Sequence, residues 1–142
     1  MQNQIFNTPF EMGLRLILLM NSTSREFFSI DRILAIDFMA CYGKVFGISD
    51  MNLHGDNNYM YGEIASRRYL LHEAIKGVVI NGYISVILQN GYQYYITDDG
   101  IDIARKFSCP YAQTYIRIVK RAIKKYDKYE DAILLKLIQR HK

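Results

Sequence analysis

Three histidines and two cysteines are the side chains of this 142-residue chain best suited to metal binding or nucleophilic catalysis. The histidines are His54, His72 and His141, and neither Cys41 nor Cys109 is spaced from them as zinc ligands would be. His54 lies in a segment rich in glycine and asparagine, which favours a surface or loop-bracing role. Two isolated cysteines without a secretion signal indicate buried thiols in a reducing cytosol. These residues predict no metal site and no catalytic nucleophile.

Other motifs of catalytic chemistry are also missing from the sequence. There is no glycine-rich phosphate loop and no nucleophile motif. Asp98, Asp99 and Asp102 could suggest a metal site. They are explained more simply as acidic residues at a helix start, where they stabilise the positive end of the helix dipole. We therefore expect no enzymatic activity and no cofactor.

One carboxylate, that of Asp37, falls inside an apolar stripe at helical spacing. The other members of the stripe are Ile30, Ile33, Leu34, Phe38 and Cys41. A buried carboxylate must be paired, because its desolvation is otherwise very costly. Arg67 and Arg68 flank the buried side of a later helix, so we expect Asp37 to pair with one of these two arginines. The alternative is that all three side chains reach solvent.

Periodicity, capping residues and turn signals predict the elements that position these side chains. Helices are expected at about 9–20, 30–42, 62–81, 98–107, 111–126 and 129–139, and strands at about 83–88 and 92–97. Thr8, Ser29 and Thr97 are the expected N-caps. Asn90-Gly91 is a strong hairpin signal, because both residues tolerate the positive φ of a type I′ turn. A long connection, 43–58, joins the second and third helices.

The order of these elements predicts a fold that is mostly α with a small β-hairpin (α+β). Helix, hairpin and helix in succession indicate a winged helix-turn-helix core followed by C-terminal helices. The domains expected are a winged-helix domain, 1–108, and a basic and apolar helical extension, 109–142. Such folds often bind DNA, but a fold alone does not establish that function.

The outer face of the central helix is poorly suited to reading DNA. It carries Ser66, Tyr69, Leu70, Glu73 and Lys76, so its one lysine is balanced by one glutamate. The hairpin turn, 89–91, has no cation, although phosphate contacts supply much of DNA affinity. Tyr69 and Leu70 suit a protein contact better, and both are candidate interface residues.

Charge is divided unevenly along the chain. Residues 1–104 contain 7 Lys+Arg and 11 Asp+Glu, which gives a net charge of −4. Residues 105–142 contain 11 Lys+Arg and 3 Asp+Glu, which gives a net charge of +8. Most of the excess lies on one face of the 111–126 helix, at Arg117, Lys120, Arg121, Lys124 and Lys125. This face is either the solvated back of a core-docked helix or a contact for a nucleic-acid backbone or an acidic partner.

The last helix is apolar on nearly every side. Its candidate interface residues are Leu134, Leu135, Leu137 and Ile138. A terminal helix of this kind is either embedded in the core or docks a partner. No run approaches the roughly 18 apolar residues of a membrane span, and no signal peptide is visible, so we expect a cytoplasmic protein.

Several sequence blocks, in their order and spacing, resemble a known family. The blocks are Phe10-Glu11-Met12-Gly13-Leu14-Arg15, Ser29-Ile30-Asp31-Arg32-Ile33 through Asp37-Phe38, Asn52-Leu53-His54-Gly55, Gly62-Glu63-Ile64-Ala65-Ser66-Arg67-Arg68 and Asn81-Gly82-Tyr83-Ile84. They resemble the middle component of bacterial ABC three-component systems, which includes the small subunit of Lamassu-type anti-phage and anti-plasmid systems. The resemblance implies a small non-catalytic subunit placed between an SMC-like ABC ATPase and an effector, often a nuclease.

Three functions are compatible with these observations. The first is an adaptor subunit of such a defence complex, which fits the uncharged outer face and the apolar terminal helix. The second is a winged-helix DNA-binding transcription regulator. The third is a non-specific DNA contact through the basic face within the first assembly.

Overall fold

Six α-helices and one antiparallel hairpin form the described part of this computed structural model, which covers residues 8–55 and 59–140. The helices are α1 (Pro9–Asn21), α2 (Ile30–Cys41), α3 (Glu63–Ile80), α4 (Asp98–Lys106), α5 (Pro110–Tyr126) and α6 (Asp131–Arg140), and the strands are β1 (Ile84–Leu88) and β2 (Tyr92–Ile96). A short 3-10 turn, Met60–Gly62, leads into α3. The prediction of a mostly helical protein with a small hairpin is confirmed.

Side-chain caps fix the starts of three helices. The hydroxyl of Thr8 accepts a hydrogen bond from the backbone of Glu11, and Pro9 occupies the first helical position. Ser29 caps α2 and Thr97 caps α4 in the same way, each at 3.1 Å. All three N-caps expected from the sequence are confirmed, because a cap depends only on the few residues that follow it.

The hairpin turns at Asn90-Gly91, where both residues have positive φ, 54° and 91°. Its register runs from the Ile84–Ile96 pair to the Leu88–Tyr92 pair. The segment between α1 and α2 adds one further bridge, because Phe28 and Tyr94 exchange backbone hydrogen bonds of 2.9 and 2.8 Å. The hairpin is therefore joined to the helices along the edge of β2.

Helix α2 lies at the centre of the core. Residues 32–41 are all buried, and the helix packs against α1, α3, α5 and α6. The core cluster also includes Tyr115 and Val119 of α5 and Leu134 of α6. The C-terminal helices of the expected 109–142 extension thus share one apolar core with residues of the expected 1–108 domain.

The described part of the 43–58 connection, residues 43–55, is a series of turns packed on the helices. Phe46 and Ile48 are buried in the core. The side chain of Asn52 accepts a hydrogen bond from the backbone of Lys44 at 3.1 Å. Residues 56–58 of this connection lie outside the described residues.

Gly100, in the first turn of α4, lies against the start of the hairpin. A Cβ atom at this position would lie 2.1 Å from the carbonyl oxygen of Tyr83 and 2.7 Å from Cγ1 of Ile96. The same carbonyl oxygen accepts a hydrogen bond from the backbone of Thr97. Only glycine lets α4 approach the hairpin this closely.

We expect Gly100→Ala to lower the free energy of unfolding by at least about 2 kcal/mol, because the added methyl group meets rigid backbone. The measurement is urea or thermal unfolding. Gly77→Ala is the matched control, since a Cβ at Gly77 in α3 would meet no atom within 4 Å. That control should be neutral or stabilise by up to about 1 kcal/mol, as Ala does for Gly inside a helix. Equal stability of Gly100→Ala and wild type would contradict the close contact.

Candidate functional site

A buried ion-pair network joins four helices around the carboxylate of Asp37 in α2. Arg15 of α1 donates from Nε to Oδ1 at 2.9 Å and from Nη2 to Oδ2 at 3.2 Å. Arg67 of α3 donates from Nη1 to Oδ2 at 3.2 Å, and the hydroxyl of Tyr115 in α5 donates to Oδ1 at 2.7 Å. Arg15, Asp37 and Arg67 are all buried. The network therefore compensates the desolvation that a lone buried carboxylate would suffer.

The expectation that Asp37 pairs with Arg67 or Arg68 is confirmed, and the structure places Arg67 there. Arg68 pairs with another carboxylate: its Nη1 lies 2.6 Å from Oδ1 of Asp31, and both side chains are partly exposed. Sequence reasoning missed Arg15, although it is the one charged residue in the apolar run 12–20. That isolation was the available signal that Arg15 is buried and needs a counter-charge.

The network sets the protonation of its members. Burial by itself would raise the pKa of Asp37. The positive charges of Arg15 and Arg67, together with the hydrogen bonds from Arg15 and Tyr115, outweigh burial and lower this pKa to about 2. Burial and the Asp37 charge raise the pKa of the Cys41 thiol above its ordinary value. Asp37 is therefore ionised at neutral pH and Cys41 is a protonated thiol, which serves packing rather than nucleophilic attack.

His54 holds the 43–55 turns against α5. Its Nε2 lies 2.6 Å from the hydroxyl of Tyr111, and the two rings stack with centroids 5.9 Å apart. Burial, and then the positive charges of Arg15 and Arg67, lower the pKa of His54 to about 3. The imidazole is thus neutral at physiological pH, as a loop-bracing role requires.

A second ion-pair group attaches the region after α5 to the start of α2. Nε of Arg25 lies 2.8 Å from Oδ1 of Asp127, and Nε of Arg32 lies 2.8 Å from Oδ1 of Asp131. Ser29, the N-cap of α2, donates its hydroxyl to Asp131 as well. These contacts hold the start of α6 against the start of α2.

Two of the terminal-helix residues expected at a protein interface are not available to a partner. Leu134 and Ile138 are buried in the core. Leu135 and Leu137 are half-buried and pack against the same core. Of the two alternatives for the terminal helix, α6 is better described as embedded in the core than as docking a partner, because α2 already covers its apolar side.

The outer face of α3 matches the character expected from its residue types. Tyr69 is 66 % exposed and Leu70 is half-buried against the core. Nζ of Lys76 lies 3.5 Å from Oε1 of Glu73, so the positive charge of Lys76 is partly balanced within the helix. This face offers an exposed aromatic ring and little free positive charge.

An open apolar groove, which the sequence did not reveal, lies between α1, α3 and α4. Its volume is about 330 Å³. The apolar lining residues are Pro9, Phe10, Gly13, Leu14, Ile17, Ala74, Gly77, Val78, Ile103 and Phe107. Phe10 at the edge is 80 % exposed. A signal existed in Phe10, an aromatic residue in the first turn of α1, but the groove itself exists only once three helices are packed.

The basic face of α5 is exposed as a unit. Arg117, Lys120, Arg121 and Lys124 are exposed and point away from the core side of the helix. Lys125 is exposed too, but its ammonium group donates to the carbonyl oxygen of Phe46 at 2.7 Å. Lys125 therefore helps to hold the 43–55 turns, whereas the other four cations face solvent.

Within residues 8–55 and 59–140, no group of three or more His, Cys, Asp and Glu side chains could hold a metal ion. Asp98, Asp99 and Asp102 are exposed along the first part of α4. Over the same residues, no helix combines the length and the apolar character needed to cross a membrane.

The fold and its surfaces define a class of small, mostly helical protein with a hairpin, an open apolar groove and an exposed cationic helix. The chain belongs to the ABC-three component (ABC-3C) system Middle Component 2 family, whose model matches residues 5–142. The resemblance to a middle component of ABC three-component systems is thereby confirmed at the level of the family. No curated protein and no solved structure matches the chain significantly. The family name implies that the other ABC-3C components are partners of this chain.

We expect Asp37→Asn to lower the free energy of unfolding by about 3–5 kcal/mol, because Arg15 and Arg67 lose the carboxylate that they share in the core. The matched control is Asp31→Asn, which removes the partly exposed pair with Arg68. That change should cost less than about 1 kcal/mol. Chemical denaturation of both variants measures the difference. Similar costs for the two substitutions would show that the buried network contributes little.

The pKa of His54 predicts a pH dependence of stability. Between its ordinary pKa of 6.5 and the lowered value of about 3, the unfolded chain binds a proton that the folded chain does not. The free energy of unfolding should therefore fall as the pH decreases below 6.5, and this contribution should be constant above that pH.

Urea unfolding at about pH 7.5 and about pH 5 measures this effect, because Asp37 stays ionised at both values. His54→Gln should show a smaller loss between the two pH values than wild type. His72→Gln is the control, an exposed histidine on α3, and should keep the wild-type difference. An unchanged pH dependence in His54→Gln would refute the assignment.

Proposed function

We propose that this chain is a non-catalytic adaptor subunit of a bacterial defence complex, which links an SMC-like ABC ATPase to an effector such as a nuclease. Membership of the ABC-3C Middle Component 2 family supports this proposal, because the family name places the chain among several components. The resemblance of its sequence blocks to Lamassu-type small subunits further suggests an anti-phage or anti-plasmid complex.

The apolar groove between α1, α3 and α4 is the observation that carries the proposal. Ile103, Phe107 and Gly77 line the groove, and so does Phe10, whose side chain is largely exposed. Contiguous apolar surface that remains open to solvent commonly marks a protein-binding site. An inserted side chain of a partner would be desolvated there, as the anchors of protein interfaces are.

The non-catalytic character is supported by the use that the fold makes of its reactive side chains. Asp37 and Cys41 lie inside the core network, and His54 is neutral and bound to Tyr111. Each of these groups has a structural role that accounts for its environment. No enzymatic role is needed to explain their perturbed pKa values.

A winged helix-turn-helix arrangement is also part of this proposal. The order of α1, α2, α3, β1 and β2 supports it, and the Phe28–Tyr94 bridge gives the hairpin a third, one-residue strand. In such a domain α3 would be the recognition helix. The balance of Lys76 by Glu73 on its outer face favours the adaptor over a transcription regulator that reads DNA with this helix.

The adaptor function can be tested with a substitution that fills the groove and leaves the core unchanged. Gly77→Leu adds a side chain at a groove position where a Cβ meets no atom within 4 Å. We expect this variant to fold but to co-purify with the ABC ATPase or the effector at least tenfold less well than wild type. The readout is affinity purification from cells that express all three components, with stability checked by thermal unfolding.

Lys76→Leu is the matched control, because it adds the same leucine to an exposed position of α3 that does not line the groove. This control should co-purify normally. If Gly77→Leu is folded and still assembles with both partners at the wild-type level, the groove is not the adaptor surface.

A further inference from the structure

The outer face of α5 is a concentrated and continuous positive surface. Arg117, Lys120, Arg121 and Lys124 fall within an arc of about 100° and extend over about 10 Å of the helix axis. Helix α5 has 17 residues, and none of them is acidic. The four side chains, which we name the α5 cation face, are all exposed.

The α5 cation face is not neutralised by the rest of the fold. Within the described residues, none of its four cations lies within 4.0 Å of a carboxylate. Asp127 and Asp131, two of the three acidic residues that follow α5 in the sequence, form ion pairs with Arg25 and Arg32. The positive charge of this face is therefore available to a partner.

We propose that the α5 cation face binds the phosphate backbone of duplex DNA, an interaction that goes beyond the proposed adaptor function and does not depend on the groove. Charge complementarity supplies the attraction, and the regular spacing of the cations along one helix suits a row of phosphates. The contact is independent of base sequence, because phosphate contacts alone carry no sequence information.

The composition of the face favours duplex DNA over the other anionic partners. Apart from Pro110 at its first position, the exposed residues of α5 are polar or cationic, so the α5 cation face lacks the apolar and aromatic centre that protein interfaces have. It also lacks the exposed aromatic rings on which single-stranded nucleic acids stack. Lysine and arginine without such neighbours suit a polar, highly charged backbone.

Four phosphate contacts predict a definite salt dependence. The slope of log affinity against log salt concentration should be about −3.6, since each contact contributes about −0.9 for duplex DNA. Affinity should consequently fall roughly 100-fold between about 50 and about 200 mM salt. Residues 1–104 carry a net charge of −4, so we expect favourable contacts with DNA only in the basic part of the chain, residues 105–142.

The experiment measures fluorescence anisotropy of a labelled duplex of arbitrary sequence with the full chain. One variant combines Arg117→Gln, Lys120→Gln, Arg121→Gln and Lys124→Gln. The matched control combines Lys44→Gln, Lys76→Gln, Arg105→Gln and Lys106→Gln, which removes the same charge from exposed positions elsewhere. We expect the first variant to lose at least 100-fold in affinity at low salt and the control to lose less than tenfold.

The single variant Arg121→Gln provides a second measurement that perturbs the fold less, and it should reduce the salt slope by about 0.9. Gly77→Leu should bind the duplex normally, which separates this proposal from the adaptor function. Absence of duplex binding by wild type, equal losses in the two fourfold variants, or tighter binding to single-stranded DNA or polyglutamate would overturn the proposal.

Discussion

Four helices meet at the buried carboxylate of Asp37. It lies in the most buried helix and accepts hydrogen bonds from Arg15, Arg67 and Tyr115, each on a different helix. Replacing such a group by apolar residues is often neutral for stability, whereas removing one partner is costly. The network is therefore best understood as a requirement on geometry, because α1, α3 and α5 must each bring a donor side chain within hydrogen-bonding distance of the same carboxylate in α2.

This geometry positions both surfaces that we propose as binding sites. Arg15 and Arg67 fix α1 and α3 relative to α2, and α1 and α3 form the groove together with α4. Tyr115 fixes the rotation of α5, so that Ala122 and Val119 face the core and the α5 cation face is exposed. A polar interaction in the core thus positions an apolar groove and a basic surface outside it.

The two surfaces suit a subunit that contacts more than one kind of molecule. The groove is apolar and concave, so a protein side chain is its natural occupant. The α5 cation face is polar and convex, so it favours an extended anionic backbone. In a middle component of an ABC-3C system, such a division would let one small chain contact a protein partner and DNA at the same time.

The features that depend on near neighbours follow from the sequence alone. The caps at Thr8, Ser29 and Thr97, the Asn90 turn and the basic stripe of α5 all follow from local chemistry and helical period. Which long-range partners meet is fixed only when the helices pack. Residues 15, 37 and 115 converge although they are far apart in sequence, Arg68 finds Asp31 instead of Asp37, and the last helix buries Leu134 instead of exposing it. The physical reason is that periodicity specifies which face of a helix is apolar, whereas the neighbour that covers this face is selected only when all the helices pack together.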